Sequence, residues 1–168
     1  MPNTTMTERD MFIAGFTREY ATTLRLLEAY PPGQSELRPS PRSKTARELA
    51  FLLALGQGVA AAVATKDALL APPEFTPPAT WDAVLGALRA AHAKSRAALE
   101  AMTDEAFQAP FTLLAGPGGK TATMRRADAL WFFLMDHVHH RGQFSVYARM
   151  AGGRVPSIYG PSGDEPWA

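Results

Sequence analysis

The prolines decide what this chain can fold into. Fourteen of them gather at a few places, above all "YPPGQSELRPSPRS" (30–43) and "APPEFTPPAT" (71–80), and leave long proline-free stretches between. Proline cannot continue a helix and glycine favours turns, so each cluster is a break and each free stretch is room for one long helix. The first stretch, about Thr7 to Tyr30, repeats Met11, Phe12, Phe16, Tyr20, Leu24 and Leu27 at spacings of three and four. That is the mark of a helix with one buried face. Thr45 and Glu48 have the spacing of a capping box and open a second, alanine-rich helix reaching to about Leu70. A third begins at Thr80 as N-cap, carries Trp81, Leu85, Leu88 and Leu99, and stops near Met102.

Between the third and last helices lies "PFTLLAGPGGKTATM", two short strand-like runs around a glycine-rich turn, which predicts a small hairpin or loop. The last helix is expected over about Thr123 to Met150, closed by "AGG" as a glycine C-cap. It is apolar on more than one side, with Trp131, Leu134 and Val138 on one and Phe133, Phe144 and Tyr147 on another. A helix of that kind packs against several neighbours. Trp131, Phe132, Phe133 and Phe144 are expected in the core. The fold class is therefore all-α, a four-helix bundle. It forms one domain over residues 1–168, with the bundle at about 7–151 and an ordered, proline-rich tail at 152–168. No internal repeat or low-complexity tract is found.

Composition removes several functions. Lys+Arg (17) and Asp+Glu (16) nearly cancel, and the densest basic run is Arg125–Arg126, so a nucleic-acid partner is not expected. With no cysteine there is no disulfide, thiolate metal site or cysteine nucleophile. The opening "MPNTTMTERDMF" lacks the order of a signal peptide, and "LAFLLALGQGVAAAVA" (49–64) reads as too short and interrupted to span a bilayer. A cytoplasmic protein without a membrane partner is the expectation.

The chemistry concentrates in "MDHVHHRGQF" (135–144), which holds three of the four histidines beside an aspartate. On a helix Asp136 aligns with His140 and with His139, and His137 with His140, whereas His139 and His140 point about 100° apart. A carboxylate and an imidazole one turn apart suit a divalent cation such as Zn²⁺ or Ni²⁺. Solvated histidines, core-edge histidines bound to a carbonyl, or a metal-free His–Asp pair fit the spacing as well. Ser145 and Ser157 sit in no nucleophile motif.

From "HHRGQFSVYARMAGGRVPSIYGPSGDE" onward the sequence resembles the DinB/YfiT-like family, through His140, Arg141, Gly142, Gln143, Tyr147, Arg149 and the segment Val155–Glu165. The resemblance implies a four-helix bundle with a divalent metal held by three ligands. Two lie four residues apart on the last helix, here Asp136 and His140. The third comes from the second helix, three residues after the "A-x-E-L" turn, where this chain has Leu52. Leucine cannot bind a cation. Glu48, Gln57 or His92 would have to substitute, with His137 a further weak candidate as ligand and, with His139, as general base. Arg141 and Gln143 would orient the ligating histidine or bind neighbouring helices. Tyr159 or Asp164 would close one end of a pocket.

Two functions follow. One is a metal-dependent hydrolase or thiol S-transferase acting on a small molecule. The other is a non-enzymatic bundle that has lost the metal and binds a small molecule or dimerises. A homodimer suits either.

Overall fold

The computed structural model describes residues 5–167. Four long helices form the bundle: α1 (Glu8–Glu28), α2 (Ala46–Thr65), α3 (Trp81–Glu100) and α5 (Arg126–Met150). A short α4 (Asp104–Gln108) follows α3, capped by Thr103. Around the bundle, α1 packs on α3 and α5, and α2 packs on the same two. Helices α1 and α2, consecutive in the chain, are therefore diagonal.

The expected starts hold for local reasons. Thr45 accepts from the Glu48 amide while the Glu48 carboxylate accepts from the Thr45 amide at 2.7 Å. Thr7 and Asp10 make the same reciprocal cap on α1, and Thr80 caps α3. Removing one such cap costs about 1 kcal/mol. Thr45→Ala is expected to lower the unfolding free energy by about 1 kcal/mol, read as a lower urea midpoint with an unchanged m-value.

Three expectations are corrected. First, the all-α class is incomplete: β1 (Ala68–Leu69), β2 (Pro110–Gly116) and β3 (Lys120–Arg125) form a three-stranded sheet, β1 parallel and β3 antiparallel to β2. The hairpin β2–β3 is where the glycine-rich turn put it, with Phe111 opposite Met124. The early end of α2 created the third strand. Buried Arg126 donates to the carbonyls of Val63 and Lys66, satisfying the last turn of α2, and the Thr112 amide takes the Asp67 carbonyl. Helical pattern continues to Leu70, but the backbone is captured by the sheet at Asp67. For the same reason α5 begins at Arg126, because Thr123–Arg125 belong to β3.

Second, α2 is not too short for a bilayer. Its length and composition would pass, yet it lies between α3 and α5 with Leu49, Ala50, Leu53 and Val63 buried. Third, Phe132 is not core but 59 % exposed, whereas Phe144 is fully buried.

The core has two apolar ends. One gathers Leu26, Leu27, Leu53, Trp81, Leu88 and Phe144; the other Phe12, Phe16, Val63, Leu99, Phe111 and Leu130. Each long helix carries buried polar residues between those ends: Glu19 and Thr23 on α1, Gln57 on α2, His92 and Ser95 on α3, His137 and Arg141 on α5. A polar layer thus crosses the middle of the bundle.

Residues 152–167 form no helix or strand. They leave α5 through Gly152, at φ +73°, and Gly153, whose added Cβ would meet Pro31 Cδ at 2.8 Å. They then run over α1 and α5, where Arg25 binds the Ser157 carbonyl and Glu165, and Arg149 binds Asp164.

Candidate functional site

Helical geometry brings Asp136 and His140 together, with His140 Nε2 3.5 Å from Asp136 Oδ1. The Gln143 amide, one turn on, orders the other nitrogens. Its Oε1 accepts from His140 Nδ1 at 3.0 Å and its Nε2 donates to His139 at 3.0 Å. With the proton on Nδ1, the lone pair on His140 Nε2 faces the Asp136 carboxylate. Two acceptors then converge on one point, which a proton, a donor group or a cation can occupy.

His140 lines a cavity of about 400 Å³ between α2 and α5, together with Lys44, Leu49, Leu52, Gln143 and Tyr147. Tyr147 is held there by donating its hydroxyl to the Lys44 carbonyl at 2.9 Å. Leu52 occupies the wall where the resemblance requires a third ligand. Asp136 is half-exposed and stands outside the cavity lining, in contact with His140, which lines it.

The weaker candidates stand elsewhere. Glu48 serves its capping box, whose amide bonds hold its carboxyl below the usual range against the opposing effect of burial. His92 lies in the core, its Nδ1 3.0 Å from Gln57 Oε1 and its ring stacked on Tyr20 at 3.7 Å. Burial, with Arg96 nearby, lowers its pKa to about 4. Gln57 is engaged by that same bond. His137 points inward: its Nε2 meets Thr23 Oγ1 at 2.8 Å, and the Thr23 hydroxyl donates to the Glu19 carbonyl. Burial, reinforced by the Arg141 guanidinium, pushes His137 down to about 3, so it is neutral at ordinary pH. No group of three His, Asp or Glu side chains suited to a metal exists among the described residues.

The residues that carry the family-like motif beyond His140 build a second constellation. Arg141 is buried and donates to Glu19 Oε2 at 2.7 Å and to the Tyr159 hydroxyl at 2.6 Å; that hydroxyl donates to Glu19 Oε2 at 2.7 Å. Burial alone would raise the Glu19 carboxyl, but Tyr159 and Arg141 together hold it below its usual value. Glu19 and Thr23 escaped sequence reasoning. The one available signal was polar residues breaking the apolar stripe of α1.

A model of the DinB family matches residues 1–167. The chain is a member of the DinB family. Solved DinB structures agree in fold. The DinB-like protein of Bacillus cereus ATCC 10987 superposes with a TM-score of 0.72 at 20% identity, covering 88% of this chain and 95% of that one. The DinB-like protein YjoA of Bacillus subtilis gives 0.67 at 20% identity, over 84% and 92%. YfiT of Bacillus subtilis, described as a probable metal-dependent hydrolase with an unusual four-helix bundle topology, gives 0.65 at 16% identity, over 90% and 93%. The uncharacterized protein YrdA of Bacillus subtilis strain 168 is 47% identical over 45 residues, 27% of this chain. This chain spans about a quarter of YrdA's length in that match, 26%. At these identities the structural relatives establish the DinB fold.

The divalent metal that the family resemblance implies can be tested against the donor set. Asp136 and His140 supply two donors with correctly aimed lone pairs; Leu52 supplies methyl groups. A resident zinc takes three or four protein ligands. The residues present do not fit a resident ion.

Proposed function

We propose that this DinB-family protein binds a small organic molecule in the α2–α5 cavity, without a resident metal ion. The observation that carries the reading is that Leu52, from α2, and His140, from α5, line the same cavity. Leu52 replaces a third donor by apolar surface and leaves Asp136 and His140 Nε2 as a paired acceptor. Such a site favours a largely apolar molecule bearing one N–H, O–H or S–H donor, with Leu49 and Leu52 against its body and His140 on its polar group.

A second reading keeps the metal-dependent hydrolase or thiol transferase. The converging lone pairs of Asp136 and His140 favour it, with the substrate contributing the missing donors to a transient Zn²⁺ or Ni²⁺.

Metal analysis of untagged protein separates the readings. We expect well below one equivalent of zinc or nickel in the wild type, and a melting temperature indifferent to chelator. Leu52→His is expected to raise the content towards one equivalent and to make stability chelator-sensitive. One equivalent in the wild type that disappears in Asp136→Ala/His140→Ala would overturn the metal-free reading. Fragment binding that shifts the Leu52 methyl and His140 ring resonances tests the cavity itself.

A further inference from the structure

We propose that the groove between α1 and α5 is a second ligand site, taking a small amphipathic organic anion. It lies on a different face of α5 from His140 and stands independently of the cavity discussed above. The groove encloses about 350 Å³. Its floor is apolar, formed by Gly15 on α1 and by Trp131, Leu134 and Val138 on α5, and three methionines, Met6, Met11 and Met135, stand at its rim. Each of these methionines is about half exposed, at 60%, 49% and 55%. Flexible thioethers beside an indole make an adaptable apolar wall. Gly15 keeps the floor open: an added Cβ would touch only Trp131, at 3.9 Å, and anything longer would fill the groove.

One end is polar and its charge is unequal. Among the described residues lining the groove, Arg18 and Glu19 are the charged ones. Glu19 Oε2 already accepts from Arg141 and from Tyr159, so its charge is balanced within the protein. Arg18 is 74 % exposed and touches Glu19 only through Nε at 3.5 Å. Its two terminal nitrogens have no hydrogen-bond partner among the described residues, which leaves a guanidinium fork free at the mouth of an apolar slot. With Arg18, Arg141 and Glu19 the end carries net positive charge. A carboxylate or sulfonate on Arg18, with an aliphatic or aromatic body along Gly15 and Trp131, satisfies both halves. The tail supplies the last wall through Tyr159.

The probe is anilinonaphthalene sulfonate, read by fluorescence titration, with octanoate and octylammonium as competitors. The dye is expected to bind the native protein and to be displaced by octanoate, while octylammonium fails. Arg18→Glu, on the surface, is expected to weaken the dye about tenfold or more. Gly15→Leu should abolish binding while Gly15→Ala keeps it, and His140→Ala should change nothing. The proposal falls if Arg18→Glu leaves affinity unchanged, if octylammonium competes as well as octanoate, or if His140→Ala removes the signal. It falls equally if sedimentation shows a dimer that Met11→Glu splits, because a second copy would then cover the groove.

Discussion

Arg141→Met is expected to melt about 10 °C below the wild type, the loss expected when one partner is removed from a buried ion pair in a chain of this size. The guanidinium is 1 % exposed and answers one carboxylate, one hydroxyl and the Glu19 carbonyl. Methionine fills much of the same volume but leaves the Glu19 carboxylate buried, 5 % exposed, with only the Tyr159 hydroxyl and the exposed Arg18, whose Nε lies 3.5 Å away. That stranded charge, and not the lost attraction, is the main cost. Two controls separate these effects. Glu19→Leu/Arg141→Met should recover a large part of the loss, since no charge is then stranded. Tyr159→Phe should cost only about 1 kcal/mol, the value of one hydrogen bond whose partners keep each other. Thermal melts of the three variants decide the matter: a double variant as unstable as Arg141→Met would show that the pair's worth lies in packing.

Acidification is expected to destabilise the protein well before its carboxylates titrate. His92 and His137 are held neutral in the fold, at about 4 and about 3, while the unfolded chain takes up their protons near its ordinary imidazole value of about 6.5. The unfolded state therefore binds more protons as pH falls through that value, and linkage makes stability fall with it. The contribution is whole above the unfolded value and declines steadily down to the folded ones. Each histidine removes up to about 1.4 kcal/mol per pH unit in that window, so the pair costs roughly 2–3 kcal/mol between about pH 6 and pH 5. The groups facing these rings are Gln57, Tyr20 and Arg96 around His92, and Thr23, Glu19 and Arg141 around His137. Glu19 acts lower: its depressed carboxyl adds stability above its unfolded value, and that is lost as pH falls through the folded one. Denaturant melts across this range should slope in the wild type and flatten in His92→Phe/His137→Met, even though that variant starts less stable. An equal slope in both would mean that the two imidazoles take up protons in the fold just as they do in the unfolded chain.

Much of the bundle was legible because its signals are local. A capping box needs only Thr45 and Glu48, a glycine-rich turn only its own backbone, and a buried face only spacing along one helix. The limits of the elements were less so. Where α2 ends was decided by Arg126, far along the chain, reaching back to its last carbonyls. The site divided in the same way. The alignment of Asp136 with His140 follows from helical rise alone, and the three-dimensional structure adds Gln143 as the group that orients the ring.

The sequence by itself determined the four long helices, the hairpin and the Asp136–His140 pair, since each depends on neighbours within a turn or two; that Leu52 stands where a third ligand would be expected comes from the family resemblance. Only the tertiary structure decided which helices are diagonal, that His137 and His92 turn inward, and that Glu19 and Arg141, both buried, find each other across the chain. The physical reason is that burying a charge or an imidazole is unfavourable unless a partner waits at the right place. A sequence shows which groups need partners; the packing of distant helices determines whether they meet.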